Sequence, residues 1–188
     1  MRVLIDVGGL LLLLLNLAAG YRFGLLRRAL VFGGLFGAVG LATLIGNGTA
    51  RNFHDAGVPG ALYADQWAFI SLFLGAILVV EVIGVLYDEK ITRVASLMFD
   101  RSVGVLLGLF VGALEVAVIC VVCFATGHAS PPDSATPLPA ERMDVATSVQ
   151  DSILGGAVYR VESGILNVFK PVLPSDLPAH LAESARKR

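Results

Sequence analysis

Four runs of apolar residues dominate the chain, from Val3 to Ala19, Ala29 to about Ile45, Trp67 to Tyr87 and Val103 to Ala125. Each reaches or approaches the ~20 residues that cross a ~30 Å hydrocarbon core. In lipid a backbone must satisfy its own polar groups, so these runs predict helices. Asp6 and Asn16 interrupt the first run, and Ala18-Ala19-Gly20 closes it as a cleaved signal peptide would. However, Asp6 stands where a basic n-region belongs, and Arg22, Arg27 and Arg28 follow like a stop-transfer flank. The first run therefore reads as a retained span.

The polar stretches between the runs are patterned too. From Asp88 to Ser102, the residues Ile91, Val94, Ala95 and Met98 fall at i, i+3, i+4 and i+7 with charges elsewhere. That spacing predicts a short interfacial helix between the third and fourth spans. After the fourth span, Pro131, Pro132, Pro137 and Pro139 stand among small polar residues, the pattern of a linker. From Asp144 to Lys170 the chain turns amphipathic again. Val158, Val161, Ile165, Val168, Phe169 and Val172 share a helical face, Gly155-Gly156 is the expected kink, and Pro171, Pro174 and Pro178 end the element. The expected organisation is all-α and polytopic. A four-helix transmembrane domain (1–126) is followed by a Pro-rich linker (127–141), an amphipathic extracytoplasmic helical segment (142–175) and a flexible tail (176–188).

Composition sharpens the choice of solvent. Hydrophobic residues make up 56% of the 188, charged residues 15%, and the mean hydropathy is +0.78. Soluble domains carry about 25% charged residues, so the principal partner is a lipid bilayer. A net charge of −1 without a basic stripe excludes nucleic acid. Short-loop Lys and Arg set orientation. Arg22, Arg27 and Arg28 stand between the first two spans, and Lys90, Arg93 and Arg101 between the last two, against Arg2 and Arg51 on the other side. This count puts both basic loops in the cytoplasm and both termini outside.

Candidate chemistry is sparse. Gly104, Gly108 and Gly112 repeat every four residues, as do Gly33 and Gly37. Such spacing lets helix backbones approach within one chain or across a homo-oligomer. Ionisable groups at membrane depth are costly and mark function or packing. Glu81 and Glu115 are the intramembrane acids. Glu115 shares the Gly108–Gly112 face, while Asp6, Gly9, Leu13 and Asn16 share one face of the first helix. The acids have two readings, a proton or ion pathway and interhelical hydrogen bonding, and packing is the preferred one. Cys120-Val121-Val122-Cys123 lacks the second cysteine pair that a thiol relay needs, and so reads as packing. His54, Asp55 and Asp65 match no strong metal spacing, and no serine lies in a G-x-S-x-G elbow. No cofactor, metal site or catalytic group is expected. Asp100 is expected to cap the entry to the fourth helix.

The motifs together resemble a known family. Ile5-Asp6 opens the first helix, Gly20-Tyr21-Arg22-Phe23-Gly24 and Arg28-Ala29-Leu30 follow, and Asp100-Arg101-Ser102-Val103-Gly104 leads to Gly108 and Gly112. These are similar to the motifs of the colicin V production (CvpA-like) family of bacterial inner-membrane proteins. The resemblance marks Asp6, Gly20, Arg22, Gly24, Asp100, Arg101, Gly104, Gly108 and Gly112 as family positions. It implies a non-enzymatic protein that assists toxin production or secretion, or an envelope process, with a protein partner on the C-terminal amphipathic segment or a homo-oligomer through the glycine faces. Some relatives resemble a membrane anchor fused to a trypsin-like protease, but these 188 residues hold no such domain. The alternative is a small proton- or ion-coupled transporter using Glu81 and Glu115.

Overall fold

A computed structural model describes residues 2–55, 64–87, 97–128, 140–174 and 177. They form five helices: α1 (Arg2–Asp55), α2 (Ala64–Leu86), α3 (Leu97–His128), α4 (Ala140–Gln150) and α5 (Ile153–Phe169). No strand occurs among the described residues. Among the described residues, three helical stretches are long and apolar enough to cross a membrane: Arg2–Ala50, Ala64–Leu86 and Met98–Ala125.

The first two apolar runs thus lie in one helical stretch, and the expected loop around Arg22–Arg28 is helical except at one residue. Gly24 has φ 78° and ψ −172°, well outside helical geometry. This left-handed φ suits glycine, which has no Cβ to clash. The break divides α1 into a first arm (2–23) and a second arm (25–55). The arms fold back on each other, because Arg28 Nη1 donates to Asn16 Oδ1 at 2.9 Å. In an unbroken helix those residues would stand about 18 Å apart along the axis. Their order along α3 shows the same reversal. Ascending α3, Gly104, Gly108, Gly112 and Val116 meet Gly20, Asn16, Leu13 and Gly9 in turn, so the first arm is antiparallel to α3. The second arm runs alongside α3 in the other sense, with Phe32 near Phe110 (ring centroids 5.8 Å apart) and Leu35 and Val39 clustered with Val118 and Val121. Helix α2 packs antiparallel on the second arm, Gly84 beside Arg27, Val80 beside Gly34, and Ala64 and Ala68 beside Ala50.

The main buried cluster joins Leu35, Val39 and Ala42 of the second arm, Phe69, Phe73 and Ile77 of α2, Val118, Val121 and Val122 of α3, and Phe169 of α5. Helices α4 and α5 therefore pack on the bundle. Val149 lies with Val116, Cys120 and Phe124. Helix α5 crosses the bundle, with Leu154 at Gly9 and Val116, Tyr159 against Phe124 and Phe169 against Phe36. Of its expected apolar face, Val158, Ile165, Phe169 and Val172 pack inward, whereas Val161 and Val168 are exposed.

Two local expectations shift. The α4–α5 break falls at Asp151-Ser152 rather than Gly155-Gly156. Ser152 is the N-cap of α5, its Oγ accepting from Gly155 N–H at 3.0 Å. A Cβ on Gly155 would collide with Val149 O, so the glycine allows the tight turn before it instead of kinking the helix after it. Gly33 and Gly37 meet nothing within 4 Å and are exposed, so within this chain they form no seam. The predicted helix at Ile91–Ala95 lies outside the described residues, and Met98 belongs to α3. Of the expected linker, Gly127 and His128 belong to α3 and Ala140 and Glu141 to α4, with 129–139 outside the described residues.

A Cβ on Gly108 would strike the carbonyl oxygen of Asn16, a backbone atom with no rotamer to escape into. Even Gly108→Ala should therefore force the first arm away from α3, and Gly108→Leu more so, at a cost of at least the ~1–3 kcal/mol typical of overpacking. Leu109 is half-exposed, and Leu109→Ile should melt like the parent. Thermal aggregation in one detergent compares the three. Equal melting of the Gly108 and Leu109 variants would contradict the seam.

Candidate functional site

A buried polar cluster sits where the first arm, the second arm, α2 and α3 meet. Arg27 and Arg28 are 2% and 0% exposed. Arg28 Nη2 pairs with Glu81 Oε1, and Arg27 Nη2 donates to Glu81 Oε2 at 3.0 Å and to Glu81 O at 3.1 Å. The Arg27 guanidinium also lies 3.4 Å from the centroid of the Phe23 ring. Gly84 makes room for it, since a Cβ there would stand 2.9 Å from Arg27 Nε. Arg28 continues the chain of bonds to Asn16. Asn16 Nδ2 donates to Glu115 Oε2 at 2.8 Å and to Leu12 O at 3.1 Å. Glu115 is buried, and its Oε1 has no hydrogen-bond partner among the described residues.

These contacts revise the charge reading of the sequence. By sequence Arg27 and Arg28 belong to the loop cations that set orientation, yet both are buried and engaged with Glu81. They serve as counter-charges inside the bundle, where an unpaired charge would be costly. Arg22 and Arg101 stay nearer the surface, Arg22 5.4 Å from the Phe23 ring and Arg101 5.2 Å from the Tyr21 ring.

Two aspartates act at helix starts. Asp100 does not cap α3, which begins at Leu97 and carries Asp100 in its first turn. Its Oδ1 accepts from Leu25 N–H at 3.1 Å, the first amide after the Gly24 break. It therefore caps the second arm from a different helix. A Cβ on Gly24 would occupy the space of that carboxylate. Asp6 does the equivalent for α5, its carboxylate accepting from Ile153 N–H at 3.2 Å and Leu154 N–H at 2.9 Å. Arg2 pairs with Asp151 beside it. An anionic group at a helix N-terminus satisfies free amides and complements the dipole. The sequence holds a signal for both acids, in their spacing from the glycines, but gives no indication of which amides they reach.

The remaining candidates do not converge. Cys120 is a buried free thiol beside Val116, Phe124 and Val149, and Cys123 is half-buried. Asp65 is buried in α2, and nothing is described of the side chains of His54, Asp55 and His128. Among the described residues no group of His, Cys, Asp and Glu has the makings of a metal site.

The model of the family described as colicin V production protein matches residues 5–161 of the 188-residue chain. The chain belongs to the colicin V production protein family. Comparison with curated proteins and with solved structures gives no match. The matched region begins just before Asp6 and runs into α5, so it contains the polar cluster and both carboxylate caps. The family and the apolar helices make this a membrane protein.

Variants at Glu81 and at Asp100 probe the site. Glu81→Gln leaves two buried guanidinium groups facing a neutral amide, and breaking a buried pair from one side costs about 3–5 kcal/mol. The variant should lose thermal stability and abundance, and adding Arg28→Gln should recover part of the loss. Asp100→Ala should cost about 1 kcal/mol, as at other lost caps, while Asp100→Asn keeps most of it. Hydrogen exchange at Leu25 should rise selectively in Asp100→Ala. Unchanged exchange there would contradict the cap.

Proposed function

We propose that this family member is a non-enzymatic, four-span protein of the bacterial inner membrane that assists the export of a peptide toxin or a related envelope process. Each arm of α1 forms one span, and α2 and α3 form the others. Both termini are extracytoplasmic, and the Gly24 turn and the stretch between α2 and α3 are cytoplasmic. The observation that carries the reading is the pairing of Glu81 with Arg27 and Arg28 inside the bundle. Both oxygens of Glu81 are taken by Arg27 and Arg28, and Asn16 ties Glu115 to Arg28. Groups engaged in this way hold a scaffold together and are not free to carry an ion through it.

Small proton- or ion-coupled transport is the second reading, and the unpartnered Oε1 of Glu115 favours it. Purified protein in liposomes loaded with a pH-sensitive dye separates the two. The scaffold reading expects no proton flux above protein-free vesicles. Flux that Glu115→Gln abolishes would establish the transport reading instead. The export role is tested in a toxin-producing host lacking its own family member. Expression of this chain should restore extracellular toxin, and failure of a well-expressed chain to do so would remove that role.

The topology has its own test. Reporter fusions after Ala50 and after His128 should be active in the periplasm, and one after Glu89 should be inactive there. A cytoplasmic signal after His128 would contradict four spans with both termini outside.

A further inference from the structure

Helix α5 divides into three longitudinal stripes. Leu154, Val158, Ile165 and Phe169 pack on the bundle. Arg160, Ser163, Asn167 and Lys170 form an exposed polar stripe. Ile153, Ala157, Val161, Gly164 and Val168 form an exposed apolar stripe, with Val161 and Val168 55% and 48% accessible. At about 100° per residue the polar stripe lies roughly opposite the bundle, and the exposed apolar stripe about a quarter turn from both. A helix resting on a protein in water has no use for this third stripe.

The depth of α5 identifies what covers it. Exposed Trp67 and Tyr87 stand at the two ends of α2, about 30 Å apart at 1.5 Å per residue. That is the thickness of a hydrocarbon core, and aromatic residues concentrate at its two boundaries. Just past the end of α5, Val172 lies beside Gly40, six residues along the second arm from Gly34. Since Gly34 meets Val80 of the antiparallel α2, Gly40 stands level with about Leu74, roughly 10 Å below Trp67. The start of α5 at Leu154 meets Val116, about 24 Å up α3 from Asp100. Asp100 lies next to Arg101, whose guanidinium sits over Tyr21 at the opposite boundary. Both ends of α5 thus lie roughly 5–10 Å inside the Trp67-side boundary, the depth of interfacial helices.

We propose that α5 lies in the plane of the membrane, in the leaflet on the Trp67 side, with its Ile153–Val168 stripe against acyl chains and Arg160 and Lys170 among the lipid headgroups. The inference rests on the membrane-spanning reading of the bundle and replaces a tail held clear of the bilayer with one bedded in it. Long cationic side chains reach the headgroup layer while their stems stay in apolar surroundings. The Asp6 cap and the Arg2–Asp151 pair fix the start of the helix at this level.

The single tryptophan makes a direct test possible. In a Trp67→Phe background, one tryptophan is placed in turn by Val161→Trp, Val168→Trp, Ser163→Trp, Lys170→Trp or Leu78→Trp, the last on the exposed mid-span of α2. Each protein is reconstituted in phosphatidylcholine–phosphatidylglycerol vesicles with brominated lipid, or with aqueous iodide. Brominated lipid should quench positions 161, 168 and 78 severalfold more than 163 and 170, and iodide should show the reverse. Iodide quenching at 161 and 168 as strong as at 163, with 78 still quenched by lipid, would overturn the proposal and leave the spanning reading intact. Shielding of 161 and 168 from both quenchers would also overturn it, in favour of a second copy or another protein on that face. Iodide quenching at 78 would instead remove the spanning reading.

Discussion

Four helical rods meet at Arg28. Its guanidinium, wholly removed from solvent, reaches Asn16 on the first arm and Glu81 on α2, and Asn16 carries the connection to Glu115 on α3. A charge in an apolar interior tolerates little displacement from its partners, because losing them leaves it uncompensated where water cannot reach. The cluster therefore fixes how far each rod can slide against the others, which apolar packing alone does not do in lipid. It also requires the arms of α1 to turn back on each other, and Gly24 is the residue at which they do so.

The glycines and the two aspartates follow from the same requirement. Rods this close need backbone against backbone, and Gly20, Gly104 and Gly108 provide it along the first arm and α3. Each reversal of the chain exposes the amides of a new helix start. In two cases the acceptor comes from a neighbouring rod, Asp100 for the second arm and Asp6 for α5. Such a cap ties two elements together as well as satisfying an amide. Asp6 thus joins the C-terminal region to the N-terminus of the chain, at the opposite end of the first arm from the Gly24 turn.

The sequence makes the helical class and the lipid environment legible, because both follow from long apolar runs with few charges. Helical phase also places Glu115 on the face of Gly108 and Gly112, and Asp6, Gly9, Leu13 and Asn16 on one face, since 3.6-residue periodicity is a local property. What periodicity cannot supply is the partner. Arg27 and Arg28 look like loop cations because nothing near them in sequence is acidic, and Glu81 is more than 50 residues away. Asp100 looks like a cap for its own helix because local capping is the commoner pattern, whereas the amide it reaches is 75 residues distant. The position of the α4–α5 turn is hard to read for a different reason. Gly155-Gly156 signals a break, but a glycine also permits a tight turn just before it, and Ser152 decides between the two.

The meeting of the rods depends on the fold-back of α1 at Gly24, and the distance between its ends measures that fold-back most directly. Leu4 and Leu44 are exposed on the first and second arms and accept spin labels without disturbing the interior. With the arms side by side, their backbones should stand roughly 10–20 Å apart, given helix axes separated by 8–10 Å. In an unbroken helix they would stand about 60 Å apart. Pulsed electron–electron resonance on reconstituted protein should give a single distribution near the short distance. A distribution centred near the long one would contradict the fold-back, and with it the meeting of the four rods at Arg28.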